Sequence, residues 1–308
     1  MPSRARTHRL AAALALVLPL ALTACTSPGL PEDEARTPTA PITRPLPSYA
    51  DVAAAYNARV APLKSLFAHH VSRITYIDEN GDRQVDQAEG TIQVVLPDHL
   101  AMSLGKAGHR VFWFGGDGER YWWFDLREER TAYIGRFDNF DNARRRVGIT
   151  IHPLDLIRVL GIVPLPEPPA VGATQWSSDG TLLGVTTRIR DEGYQRLWLD
   201  PQSYEPRKIE LFDSGRRLTL VADLDEYDHA EVANLAVGPR IATRINVLEP
   251  ESGIEVRLTM DAPSDGARRI STDAFEFDTL RRVMGVERTV DLDTEQAMAP
   301  ALPPGPAR

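Results

Sequence analysis

The side chains able to carry chemistry are few and scattered. Cys25 is the only thiol, which excludes an internal disulfide framework and a thiolate metal cluster. No Gly-x-Ser-x-Gly elbow, Walker loop, His-Glu-x-x-His pair or Gly-x-Gly-x-x-Gly following a strand is present, so no local motif supports acyl, phosphoryl, metal-assisted or hydride chemistry. Asp78-Glu79-Asn80-Gly81-Asp82 sets its glycine before the third ligand position of a calcium loop and lacks the closing Glu, so it reads as a hairpin turn. His69 and His70 are adjacent, hence on opposite faces of a strand and badly placed to share a metal; they read as surface or helix-end histidines. His99, His109, His152 and His229 stand singly, with no nucleophile near them in sequence. The expectation is a binding protein, not an enzyme, with no catalytic residue, metal or cofactor.

Composition narrows the partners. A chain of 308 residues with 43% hydrophobic and 25% charged residues has the balance of a folded globular protein. Its net charge of -8 argues against nucleic acid, which needs surplus cations to displace phosphate counterions. Residues 1–24 join a basic start, Arg4, Arg6 and Arg9, to an apolar run from Leu10 to Leu22. That run is roughly 13 residues, short of the about 20 that span a bilayer as a helix, and reads as an export signal.

Leu22-Thr23-Ala24-Cys25 resembles the lipobox of bacterial lipoproteins. The resemblance implies cleavage before Cys25 and lipid attachment there; the alternative is an ordinary secretory signal with an incidental cysteine. Several acyl chains hold a protein to a membrane without spanning it, since each buried CH₂ contributes about 0.8 kcal/mol. Thr26, where enterobacterial inner-membrane lipoproteins carry Asp, favours the outer membrane facing the periplasm. Residues 25–48 form a proline-rich tether unable to bury enough surface to offset its ordering entropy, and 294–308 read as a disordered tail.

The elements expected between them, over 49–293, are mostly strands. Ser48-Tyr-Ala-Asp51 is a capping box. Val52, Tyr56, Val60, Leu63 and Phe67 then form one helical face, with Pro62 expected to kink or split the helix near Ala61. Alternation predicts strands at 71–78, 90–96, 99–104, 110–115, 120–126, 130–135, 181–190, 194–200, 205–212, 216–224, 240–248, 254–261 and 271–278, joined by tight turns. One antiparallel sheet of that size must curl. Between its halves, Ile151 to Ile162 predicts a short helix near 153–161 that is apolar nearly all round, opened by Pro153 and stopped by Gly161.

The block Phe112-Trp113-Phe114-Gly115-Gly116-Asp117-Gly118-Glu119-Arg120-Tyr121-Trp122-Trp123-Phe124 is a hairpin with aromatics on both faces. Either helices and loops cover the two faces, or one face lines a hydrophobic ligand cavity. The residues expected in such a cavity are Trp113, Trp123, Leu154, Ile157, Leu160 and Trp198.

The order helix, long meander, apolar helix after Gly148-Ile-Thr-Ile-His-Pro153, then Arg196-Leu-Trp-Leu-Asp-Pro201 and Tyr204-Glu-Pro-Arg-Lys-Ile-Glu-Leu211, resembles the outer-membrane lipoprotein carrier and acceptor superfamily (LolA/LolB-like, with related lipid-binding lipoproteins). With the strand count above, the resemblance implies a mainly β, α+β fold: a strongly curved antiparallel half-barrel of about 11 to 13 strands closed by helices. It also implies a lipid-anchored envelope protein binding acyl chains of lipids or lipoproteins in a hollow with room to spare. The alternative is an envelope sensor or scaffold of the same fold that binds a protein partner.

Overall fold

The computed structural model describes residues 44–78, 80–127, 129–140, 152–167, 172–189 and 193–294. The signal segment, Cys25, the tether up to residue 43 and the tail from 295 lie outside the described residues.

Helix α1, Tyr49–Val60, begins where the Ser48 side chain accepts a hydrogen bond from the Asp51 amide at 3.2 Å. It buries Val52, Ala53, Tyr56 and Val60. It ends about two turns before the last residue of its apolar spacing, at the break expected near Ala61. Pro62 has no amide to continue the ladder, Leu63 bonds back to Val60, and Phe67 belongs to the following strand.

Two wings of one sheet follow. The first comprises β1 Ser65–Ile77, β2 Arg83–Val95, β3 His99–Lys106, β4 His109–Asp117, β5 Arg120–Asp125 and β6 Thr131–Arg136. The second comprises β7 Ala173–Trp176, β8 Leu183–Arg188, β9 Tyr194–Leu199, β10 Pro206–Phe212, β11 Leu218–His229, β12 Arg240–Glu249 and β13 Ile254–Ser264. Each wing is an antiparallel meander, and β1 pairs with β13 to join them. Between the wings in sequence lies α2, Pro153–Arg158.

After β13 the chain returns to the first wing, where a 3-10 turn at Thr272–Phe275 and α3, Phe277–Val283, cover one face. Strand β14, Arg288–Asp291, then pairs parallel to β6 at the edge. The result is one open, curved 14-stranded sheet, not closed into a barrel.

All but one of the predicted strand runs fall on strands. The exception, 271–278, is helical: Phe275 and Phe277 do face the same way, but because Glu276 is extended (φ -107°, ψ 100°) between two helical turns. Strands β7 and β14, only four residues each, carry too short an alternation to be recognised, and they raise the strand number above the expected range. The Asp78–Asp82 segment is the expected turn, with Asp78 Oδ1 accepting from the amides of Asn80 and Asp82 and Gly81 at φ +84°.

The inner face, defined by contact with α1 and α2, is aliphatic across the second wing and β1. Leu66, Ala68, Leu183, Val185, Leu197, Leu199, Ile209, Leu211, Leu220, Leu224 and Ile245 meet Val52, Tyr56, Ile157, Leu160 and Ile162 in one cluster. Burial of this size is the main favourable term in folding.

Candidate hydrophobic ligand site

On β3 to β6 the inner face changes character. The pairing sets Met102 opposite Phe114, Phe114 opposite Trp123, and Trp123 opposite Tyr133, so these side chains share a face. Trp123 stacks on Tyr133 at 4.9 Å and parallel to Tyr121 at 6.3 Å. Tyr121, Trp123, Phe140 and Leu292 are buried, with Phe112, Phe114, Tyr133 and Phe137 half-buried against them. The Tyr121 hydroxyl is enclosed with no hydrogen-bond partner among the described residues, and that burial, with Asp293 adding to it, pushes its pKa up.

Helix α2 joins this aromatic wall to the aliphatic interior. His152 caps its first turn, Nδ1 accepting from the Leu154 amide at 3.2 Å, while its ring stacks on Phe137 (5.5 Å) and tilts against Phe140 (4.7 Å). At the other end Gly161 adopts φ +66°, where a Cβ would come within 2.7 Å of Pro206 Cγ and 3.0 Å of Leu224 Cδ2. The Gly161 carbonyl accepts from Tyr56 Oη at 2.8 Å and Arg59 Nη2 at 2.7 Å. Just beyond, Asn57 both donates to the Leu165 carbonyl (2.9 Å) and accepts from the Leu165 amide (2.7 Å), and Tyr49 donates to Pro166. One face of α1 thus clamps the chain leaving α2 through side chain to backbone hydrogen bonds, each contributing roughly 0.5–1.5 kcal/mol. Burial raises the Tyr56 pKa, so its hydroxyl stays a donor.

The inner face is therefore greasy, as expected. Helices α1 and α2 pack into the aliphatic hollow.

The six side chains expected to share one cavity fall in different places. Ile157 and Leu160 are buried in the aliphatic cluster with Leu154 packed half-buried against it, and Trp123 lies in the aromatic wall beside them. Trp113 is on the opposite face, buried with Trp122, Phe124 and Ala132 beneath Phe277 and Leu280 of α3. Trp198 is also on the outer face, against Gly184, its Nε1 donating to Glu210 at 2.9 Å. Alternation is the reason: each tryptophan's immediate neighbours, Phe112 and Phe114 or Leu197 and Leu199, take the inner side. Cys25 lies outside the described residues. Met102, Phe114, Tyr133, Phe137, Phe140 and the clamp residues Asn57 and Arg59 were not anticipated. The register of the Phe112–Phe124 hairpin would have found Phe114, since its glycine-rich turn fixes which residues oppose each other.

His70 is also not a surface residue. It is buried, with Nδ1 3.0 Å from Ser72 Oγ and Nε2 3.1 Å from the Ser103 carbonyl, and burial lowers its pKa. Gly90 makes this approach possible, because a Cβ there would sit 1.9 Å from the Ser103 oxygen. No group of three or more His, Cys, Asp or Glu side chains positioned for a metal ion occurs among the described residues, and no helix among them is long and apolar enough to cross a membrane.

No family model matches the chain, and no curated protein matches it by sequence. Among solved structures, a DUF1329 family protein from Desulfovibrio piger matches with TM-score 0.54 and 12% identity, over 75% of this chain and 97% of that one. A LolA superfamily protein from Nitrosomonas europaea matches with TM-score 0.47 and 15% identity (74% and 97% covered). An outer membrane lipoprotein-sorting protein domain from Vibrio parahaemolyticus does so with TM-score 0.47 and 14% identity (76% and 97% covered). These are likenesses of fold. The architecture expected from the sequence, a mainly β, strongly curved half-barrel of α+β class, is the one found, as an open sheet that does not close.

Proposed function

We propose that this protein is a lipid-anchored envelope lipoprotein, attached through Cys25 to the periplasmic side of the outer membrane, that binds acyl chains of lipids or lipoproteins on the inner face of its sheet. The observation that carries the reading is the junction of α2 with two unlike surfaces. Its apolar side chains plug an aliphatic hollow, while its capping His152 rests on an aromatic wall of which Phe112, Phe114, Tyr133 and Phe137 are only partly buried. Acyl chains require apolar contact and little hydrogen bonding, which this wall supplies. A ligand reaching the wall would gain further apolar area by taking the place of α2, whose release requires breaking the polar clamp at Gly161 and Leu165.

The packing of α1 and α2 into the hollow favours a second reading, in which the folded body is a scaffold and its ligand is a protein held on the outside. Fluorescent fatty-acid titration separates the two. The acyl reading expects saturable binding that Arg59→Ala strengthens by loosening the clamp and that Phe114→Ala weakens by removing part of the aromatic wall. Absence of binding in both the parent and Arg59→Ala proteins would abandon it. Replacing Cys25 with Ser is expected to move the protein from the membrane to the soluble periplasmic fraction; retention on the membrane would reject the anchor.

A further inference from the structure

The outer face of the second wing carries a concavity of about 520 Å³ at the ends of β7 to β10, on the side of the sheet opposite α2. Its lining includes Gln175, Thr186, Arg188, Tyr194, Arg196 and Arg216. Aromatic rings hold the three guanidinium groups: those of Arg188 and Arg216 lie 5.9 Å and 5.5 Å from the Tyr194 ring centre, and that of Arg196 lies 5.2 Å from the Phe212 ring. Arg196 pairs with Glu210 at 3.3 Å. Among the described residues neither Arg188 nor Arg216 has a carboxylate partner, although the next residue, Arg217, reaches both Asp213 (3.2 Å) and Glu251 (3.5 Å). Two cations without a carboxylate partner among the described residues thus converge on one phenol in a chain whose net charge is -8. They draw the Tyr194 pKa down, Arg188 first.

We propose that this concavity is a binding site for a phosphate-bearing ligand. Guanidinium forks match pairs of phosphate oxygens, and their stacking on Tyr194 and Phe212 reduces the side-chain freedom lost on binding. The Thr186 hydroxyl and the Gln175 amide add uncharged donors at the rim. A negative ligand supplies the charge that Arg188 and Arg216 lack. The site is independent of the acyl reading, since it lies on the other face of the sheet, and the shared chemistry could come from a phospholipid headgroup or from free phosphate.

The test is calorimetric titration of the full chain with inorganic phosphate and, separately, with dihexanoylphosphatidylglycerol below its micelle concentration. Saturable binding of at least one probe is expected, weakened about tenfold or more in Arg188→Ala/Arg216→Ala as two charge-assisted contacts are lost. A control with the same charge change on α3, Arg281→Ala/Arg282→Ala, is expected to bind like the parent. Binding of both probes assigns the site to phosphate itself; binding of the lipid alone assigns it to the headgroup. Neither arginine supports a buried ion pair, so the unfolding temperature should hold; if the alanine pair fails to fold, Arg188→Gln/Arg216→Gln serves, with the same expected loss. No saturable binding of either probe, or equal weakening by the α3 control, overturns the proposal.

Discussion

The two wings of the sheet solve the same problem differently. The second wing buries Leu, Ile and Val on its inner face beneath α1 and α2 and leaves mostly polar and charged side chains outside, with Trp198 and Phe212 among them. The first wing, from β3 to β6, is aromatic on both sides: Trp113, Trp122 and Phe124 lie under α3, and Tyr121, Trp123 and Tyr133 line the inner face. A wing that is apolar on one side needs one cover. A wing that is apolar on both sides needs two, and the chain provides the second by returning after β13 to lay down α3 and β14. On the inner aromatic side Phe112, Phe114, Tyr133 and Phe137 are only partly buried, and the acyl ligand proposed above has most to gain there.

If that contrast is right, mutations on the two sides of the aromatic wing should behave differently, and this is the largest effect expected. Trp122 is fully buried between β5 and α3, its ring 5.8 Å from that of Phe277. Trp122→Ala should cost about 3–5 kcal/mol in denaturant unfolding. Phe112, half-buried on the inner side, should cost less than half as much as alanine while weakening fatty-acid binding. Equal costs would mean that the inner wall is ordinary core.

The next largest effect tests the plug of the aliphatic wing. Gly161→Ala asks an L-residue to hold φ +66° with its Cβ 2.7 Å from Pro206. A loss of about 1–3 kcal/mol is expected, because strain and contact add at one residue. A neutral result would show that the α2 terminus is not held as tightly as its clamp requires. Tyr56→Phe is milder: it removes one hydrogen bond to the Gly161 carbonyl while Arg59 still donates to it. About 0.5–1.5 kcal/mol should be lost, together with faster uptake of a fluorescent fatty acid. Unchanged uptake with the stability loss present would make the clamp structural only.

The contrast between the wings also explains what was legible in the sequence. Alternation and glycine turns reveal most of the strands, because a half-buried strand must alternate whatever its partners. The apolar helix between the wings is equally plain at its start, where Pro153 stands, but it ends at Arg158, and Gly161 closes the turn that follows instead of the helix itself. What stays hidden is which face belongs to which space. Trp113 and Trp198 read as site residues because they are large and aromatic, yet one residue of register assigns them to the outer side. The hydrogen bonds of Asn57 and Arg59, to Leu165 and to Gly161 and Arg240, span more than a hundred residues and leave no local trace. The single-residue extension at Glu276 turns an apparent strand into two helical turns.

The smallest expected effect lies near the seam between the wings. The β2–β3 register runs Glu89 opposite Gly105 and resumes at Ile92 opposite Met102, and His70 reaches the Ser103 carbonyl at the interruption. Burial is the main cause that depresses the His70 pKa below its usual value, opposed by the bond to Ser103 and aided by His69. The unfolded chain, with an imidazole pKa of about 6.5, then binds the proton more readily than the folded one. The stability that His70 contributes as a neutral ring is complete above about pH 6.5 and falls as the pH drops from there through the depressed folded value. His70→Gln keeps an amide able to reach Ser103 and removes the titration. Urea unfolding at pH 7.5 and pH 5.5 should show a smaller loss of stability on acidification for His70→Gln than for the parent, while other groups titrate alike in both. Parallel losses would mean that the ring is already charged or solvated at this interruption, and that the sheet tolerates a cation where its two wings approach.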